Sequence, residues 1–179
     1  MTNLTLGDKH FQPLISNARI LGRINELAIE INSRLSLQDV DILVILDGAE
    51  VFAKAIIPLF SFKYVVHFIK IKTYEGMNSG SIFKLDLSVL EKLKSKDVLI
   101  LEDIIDSGFT VHQLLEKLKE RDIHKIHLAT LLLKPDQLKY RVKPDFTGFE
   151  IGSEFVVGFG MDYNEQGRDL LDIYNCINP

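Results

Sequence analysis

Val98-Leu99-Ile100-Leu101-Glu102-Asp103-Ile104-Ile105-Asp106-Ser107-Gly108-Phe109-Thr110 is the stretch on which the fold of this chain turns. Four aliphatic residues in a row, Val98 to Leu101, suit a parallel strand covered on both faces. Glu102 and Asp103 follow directly; because burying an unpaired charge is very costly, they are expected to leave the core at the strand's carboxyl end. Further on, Val111, Leu114, Leu115 and Leu118 recur at i, i+3, i+4 and i+7, the stripe of a helix packing back on a sheet. Ser107-Gly108-Phe109-Thr110 is then the turn into that helix. Amide N–H groups at a helix start lack partners inside the helix and carry the positive end of its dipole, so they attract phosphate; two hydroxyls and a close-packing glycine strengthen the site. In open α/β sheets the crevice at the strand ends is the usual ligand site. An acidic ledge beside such a turn suits a sugar phosphate.

Working outward, the pattern alternates. Leu21, Ile24, Leu27, Ala28, Ile31 and Leu35 mark an amphipathic helix from about Ser16 to Arg34. Ile42 to Leu46 reads as a strand, and Ala49 to Phe60 as its crossover helix, stopped near Pro58 because proline breaks the helical hydrogen-bond ladder. Tyr64 to Ile71 is the next strand. Thr73 to Ser81, with Gly76, Asn78, Ser79 and Gly80, is a loop by composition, and Ile82 to Leu87 resumes as extended chain. The helix Thr110 to Arg121 and the strand Ile126 to Leu133 complete a βα alternation that predicts a parallel-dominated α/β sheet. Shorter extended pieces follow at Phe146 to Glu150 and Phe155 to Gly158. No repeat, low-complexity tract or linker interrupts the 179 residues, which are read as a single domain.

Composition narrows the class. A chain of this size buries roughly 70% of its unfolded surface without disulfide or metal staples. No run reaches the ~18 apolar residues of a membrane span, the start of the chain lacks the pattern of a secretory signal, and Cys176 is the only cysteine. A soluble protein of the reducing cytoplasm is expected. A net charge of −4 without a Lys/Arg cluster argues against nucleic acid as a partner.

Several polar residues have two readings. Asp106 is either the cap of the following helix or a carboxylate facing a ligand. Lys134, just past Leu131-Leu132-Leu133, is a lysine at a strand exit or a specific donor. On the residues alone Phe155 reads as a core aromatic, Asp162 to Arg168 as a polar surface loop, and Thr73-Tyr74 as the opening of a surface hairpin. The five histidines show no metal-ligand spacing.

The run Glu102-Asp103-Ile104-Ile105-Asp106-Ser107-Gly108-Phe109-Thr110 resembles the phosphoribosyl pyrophosphate signature of the hypoxanthine-guanine phosphoribosyltransferases. Lys143 to Ile151, Phe155 to Asn164 and Arg168-Asp169-Leu170 are similar to the C-terminal part of that family. With Leu46-Asp47-Gly48 and Lys72-Thr73-Tyr74, the resemblance runs from about Asp41 to Leu170. It implies a type I phosphoribosyltransferase fold with a small hood from the N-terminal segment and the C-terminal region. It implies transfer of a phosphoribosyl group to hypoxanthine or guanine, in a homodimer or homotetramer. On the matching positions, Glu102, Asp103 and Asp106 to Thr110 hold the phosphoribosyl group, and Asp106 is the general base. Lys134, Phe155, Val156 and Asp162 hold the 6-oxopurine, while Asp47, Gly48 and Arg168 face pyrophosphate in a loop where a non-proline cis peptide often occurs. Thr73 and Tyr74 form the lid, and Glu102, Asp103 and Asp162 serve Mg2+. Asp47 stands where several members carry a basic or neutral residue, and Glu154 where some carry lysine.

Two rivals come from other classes: a regulatory sensor that binds nucleotide without turnover, and a phosphate-transferring enzyme. The complete acid set with Lys134 opposes the first; the absence of a GxxxxGK[ST] loop opposes the second.

Overall fold

A computed structural model describes residues 2–36, 38–75, 81–93 and 97–177. Its centre is a six-stranded sheet made of β3 (Asp39–Leu46), β4 (Lys63–Glu75), β5 (Ser81–Leu85), β6 (Asp97–Ile105), β7 (Lys125–Leu133) and β8 (Phe146–Glu150). Their order is β5-β4-β3-β6-β7-β8, with every pair parallel except β4 with β5. From β3 the chain crosses to β4 on one side, and from β6 to β7 on the other. The order therefore reverses between β3 and β6, and the loops leaving the carboxyl ends of these strands diverge to open a crevice.

Helices cover both faces. On one lie α1 (Asn17–Leu35) and α2 (Ala49–Ile56), packed on Val40, Ile42, Val44, Leu99, Leu101 and Leu131; on the other, α3 (Leu87–Leu90) and α4 (Phe109–Lys119) pack on Leu43, Ile45, Val98, Ile100 and Leu128. Such double cover explains the unbroken aliphatic runs. Ser16 caps α1, its hydroxyl accepting from the Arg19 amide at 3.4 Å. The buried stripe of α1 begins at Ile20 rather than the expected Leu21, which is exposed; Ile20, Ile24, Leu27, Ile31 and Leu35 keep the helical period, and Leu21 lies one step around the helix. α2 ends at Ile56, and the residues up to Leu59 tighten into a 3-10 turn containing Pro58.

Two expectations change. β6 does not stop at Leu101 but runs through Glu102 and Asp103 to Ile105, because its ladder with β7 continues through Glu102↔Thr130 and on to Ile105↔Leu133. Both acids are therefore buried, at 7% and 8% exposure. The strand β4 likewise continues through Thr73 and Tyr74 to Glu75, in antiparallel register with β5, so the expected loop is an extended hairpin at these two residues. Its remaining part, 76–80, lies outside the described residues.

A second sheet joins the chain's two ends. The strands β1 (Leu4–Leu6), β2 (Lys9–Ile15), β9 (Val156–Val157) and β10 (Ile173–Cys176) form an antiparallel set in the order β1-β2-β10-β9 around Phe11, Val157 and Tyr174. Pro13 of β2 has no N–H to donate, and the ladder is irregular where it faces Tyr174. The Asn17 amide donates to Asp172 Oδ1 at 2.6 Å, tying the start of α1 to this sheet. Among the described residues no helix is long and apolar enough to cross a membrane.

Candidate active site

Two adjoining depressions occupy the crevice. The smaller, of about 90 Å³, is lined by Glu102, Ile104 and the turn from Ile105 to Val111. The turn is held from behind: the Ser107 carbonyl accepts the amides of Lys139 at 3.0 Å and Tyr140 at 3.2 Å, while its hydroxyl accepts the Phe109 amide at 3.3 Å. Gly108 has φ +79°, and a Cβ there would press on Leu138 and Val142 at 3.3 Å, so only glycine fits without strain. Gly108 is also the residue that caps α4, without a side-chain cap. Asp106 is therefore not the helix cap. Its Oδ2 instead accepts from Lys134 Nζ at 2.6 Å.

The larger cleft, of about 320 Å³, is lined by Asp47, Gly48, Asp103, Ile104, Asp106, Lys134, Phe155, Val156, Met161, Asp162 and Arg168. Ile104 and Asp106 belong to both depressions. Lys134 is 5% exposed, its amide held by the Ile105 carbonyl at 2.9 Å, and its ammonium lies in the cleft wall beside Asp106. Phe155 is 42% exposed and is not a core aromatic: Phe11 supports it at 6.3 Å and Tyr163 meets it edge-on at 5.8 Å, leaving ring surface open. Across from them, Arg168 donates to Asp162 Oδ1 at 2.6 Å and to the Gly160 carbonyl at 2.9 Å. The Leu46–Asp47 peptide is cis, and Gly48 packs so tightly on Asp103 that a Cβ would lie 1.9 Å from its Oδ2.

The sequence model of the phosphoribosyl transferase domain matches residues 14–164. The chain belongs to that family. It is 36% identical over 159 residues to the hypoxanthine-guanine phosphoribosyltransferase of Lactococcus lactis, covering 88% of this chain and 86% of that protein. The enzyme of the same description from Bacillus subtilis is 37% identical over 161 residues, covering 88% of each. The crystal structure of a hypoxanthine phosphoribosyltransferase from Staphylococcus aureus superposes with a TM-score of 0.83 at 28% identity, covering 92% of this chain and 90% of that one. The architecture is the type I phosphoribosyltransferase fold.

Against this phosphoribosyl transferase frame, the residues singled out in the sequence fall into three groups. Asp47, Gly48, Asp103, Asp106, Lys134, Phe155, Val156, Asp162 and Arg168 share the cleft, and Glu102 with Ser107, Gly108, Phe109 and Thr110 lines the smaller depression. Thr73 and Tyr74 lie on the β4–β5 hairpin. Glu102 and Asp103 do not act as one acidic ledge: as consecutive strand residues they point to opposite faces, one into each depression. Sequence reasoning missed Phe11, Tyr163 and Met161, which support or line the base side. Phe11 lies far from Phe155 in the sequence, and no local pattern places the two rings together.

Burial dominates the electrostatics. Loss of solvent pushes Asp103 up to about 6 from the usual 3.8; amide hydrogen bonds and Arg168 oppose the rise, and Asp162 adds to it. Burial, then the neighbouring Asp103 charge, pushes Glu102 well above the carboxylate range, and its Oε2 has no hydrogen-bond partner among the described residues. In the cation-free protein Asp103 is therefore destabilising at neutral pH. Above pH 6 it is ionised in both states and the folded state carries the full penalty, about 3 kcal/mol at most. As pH falls from 6 toward 4 the folded state takes up the proton first, and the penalty fades. Asp103→Asn is expected to raise the Tm of protein stripped of divalent cations at pH 7.5, with the advantage shrinking toward pH 4. Calorimetry at the two pH values checks this; an advantage that is absent or independent of pH contradicts it.

Proposed function

We infer that the protein transfers the 5-phosphoribosyl group of phosphoribosyl pyrophosphate to hypoxanthine or guanine, giving the nucleoside monophosphate and pyrophosphate. The observation that carries this reading is the pair of depressions that meet at Asp106, one shaped for a phosphate at a helix start and the other floored by an open aromatic ring beside a buried lysine.

In this reading the Ser107 to Thr110 turn holds the 5′-phosphate through amides and hydroxyls. The base stacks on Phe155, worth roughly 1–3 kcal/mol, which orients it without identifying it. Identity comes from Lys134: an ammonium has only hydrogens to donate, so it pairs with the 6-oxygen of hypoxanthine or guanine and finds no acceptor in the amino group of adenine. Val156 offers backbone groups to the base edge. As the C1–oxygen bond to pyrophosphate breaks and the bond from base N9 to C1 forms, the proton on N7 passes to Asp106. Lys134 donates to Asp106 at 2.6 Å, so the donor for the 6-oxygen and the acceptor for the N7 proton stand side by side along one edge of the purine. Arg168 reaches the pyrophosphate as a planar multidentate donor. Gripping the ribose at both ends fixes C1 for displacement, so orientation supplies much of the rate.

Asp103 and Asp162, together in the cleft, suit Mg2+, a hard cation that keeps waters and binds through one or two carboxylates and substrate phosphates. The desolvation of Asp103 is what a cation arriving in that cleft would relieve. When bound, the ion neutralises charge on the pyrophosphate. The residues from Ile71 to Glu75 run past the end of β3, where a β4–β5 lid closing over the cleft would exclude water from the ribosyl cation. A cytoplasmic location rests on the composition and the single cysteine, and a homodimer or homotetramer on the family resemblance.

Steady-state kinetics with hypoxanthine, guanine, xanthine and adenine test the reading. Hypoxanthine and guanine are expected to be consumed and adenine not. Lys134→Ala is expected to lower kcat/KM for hypoxanthine by about 10–100-fold, the loss of one charge-assisted hydrogen bond, with the KM for phosphoribosyl pyrophosphate little changed. Efficient use of adenine, or equal loss of both substrates in the variant, refutes the assignment.

A further inference from the structure

The cleft carries an excess of negative charge for a site that receives a polyanion. Among its described lining residues, Asp47, Asp103, Asp106 and Asp162 stand against two cations, Lys134 and Arg168. Both cations are already engaged, Lys134 with Asp106 and Arg168 with Asp162. The Asp47 end is the least hospitable, since its carboxylate would face the departing pyrophosphate directly. A compact polyanion loses hydration on entry and needs cations to replace it.

Lys70 answers that deficit. In the parallel register of β3 and β4 it lies opposite Leu46, the last residue before the Asp47–Gly48 turn. Its Nζ lies 3.0 Å from Asp47 Oδ2 and 3.2 Å from Oδ1, which brings an ammonium on a flexible four-carbon stem to the rim of the cleft. The two side chains are 56% and 46% exposed, and a solvated pair of this kind holds its partner weakly. Exchanging the carboxylate for a phosphate oxygen is therefore easy.

We propose that Lys70 binds the pyrophosphate group of phosphoribosyl pyrophosphate, exchanging its pairing with Asp47 for the substrate when it enters. The inference rests on the phosphoribosyl-transfer reading above. Asp47 then competes with the substrate for Lys70, so the two residues of one ion pair act in opposite directions.

That opposition is measurable. With saturating hypoxanthine and Mg2+, Lys70→Met keeps the stem and removes the charge, and is expected to raise the KM for phosphoribosyl pyrophosphate about tenfold or more. The KM for hypoxanthine stays near that of the unmodified protein, and inhibition by inorganic pyrophosphate weakens by a similar factor. Asp47→Asn frees Lys70 and removes a like charge, and is expected to lower the KM for phosphoribosyl pyrophosphate about two- to fivefold and to strengthen pyrophosphate inhibition. Lys70→Arg keeps the charge and should stay within about threefold of the starting KM. A purely structural ion pair would make Lys70→Met and Asp47→Asn lose affinity alike, and that result overturns the proposal, as does a Lys70→Met enzyme with unchanged KM. Thermal unfolding of each variant shows that it is folded; if Lys70→Met is not, Lys70→Gln replaces it under the same criteria. An unmodified protein that releases no pyrophosphate from hypoxanthine and phosphoribosyl pyrophosphate overturns the transfer reading and the inference with it. An active unmodified protein with an indifferent Lys70 overturns the inference alone.

Discussion

Asp106→Asn is expected to lower kcat by about 10²–10⁴, the range of a lost general base, while the KM for phosphoribosyl pyrophosphate moves by no more than a few-fold. The reason is positional. Asp106 belongs to both depressions, so its carboxylate stands where the ribose carbon and the base meet. An asparagine keeps the volume and can still accept from Lys134, so the turn that holds the phosphate is left intact. The amide cannot take the N7 proton. Because α4 is capped at Gly108 without help from Asp106, no loss of helix stability is expected. Equal losses in kcat and in substrate binding would assign Asp106 a structural role instead.

The second large effect is expected at Gly160. Its φ of +102° already disfavours any side chain, and a Cβ would lie 2.1 Å from the Gly48 carbonyl oxygen, a collision of backbone with backbone that no rotamer change relieves. The same residue anchors Arg168 twice: its carbonyl accepts from the guanidinium at 2.9 Å, and its amide donates to the Arg168 carbonyl at 3.0 Å. Gly160→Ala must therefore separate the Asp47–Gly48 turn from the segment bearing Asp162 and Arg168. We expect a loss of about 3–5 kcal/mol, a Tm lower by roughly 10 °C, and kcat/KM for phosphoribosyl pyrophosphate reduced by at least about 100-fold. Calorimetry and kinetics on the one variant decide it; a Tm within 2 °C and unchanged kinetics, set against the ~10 °C expectation, would show that the two segments are not coupled.

The strand, turn and helix around Val98 to Thr110 were legible because each obeys a local rule: an aliphatic run for a doubly covered strand, a glycine at the turn and a helical stripe beyond it. The same rules misplaced Glu102 and Asp103. A charge was expected to end the strand, yet the ladder with β7 continues through Ile105, and the cost of burial is concentrated at the site. β9 falls inside the extended piece expected at Phe155 to Gly158, whereas the pairing of β1, β2, β10 and β9 joins opposite ends of the chain and leaves no local signal. The ion pairs Asp106–Lys134, Asp162–Arg168 and Asp47–Lys70 escaped for a related reason. Sequence named five of those six residues as site candidates, but which carboxylate meets which cation depends on the approach of separate loops, and Lys70 gains its meaning only from its register opposite Leu46.

The central claim is that two depressions sharing Asp106 grip the two ends of one nucleotide. A crystal structure of the protein with inosine 5′-monophosphate tests it most directly. The 5′-phosphate is expected against Ser107 to Thr110, the base on Phe155 with its 6-oxygen at Lys134 Nζ, and Asp106 beside N7. A phosphate seated at Arg168 instead, or a base stacked away from Phe155, would contradict it.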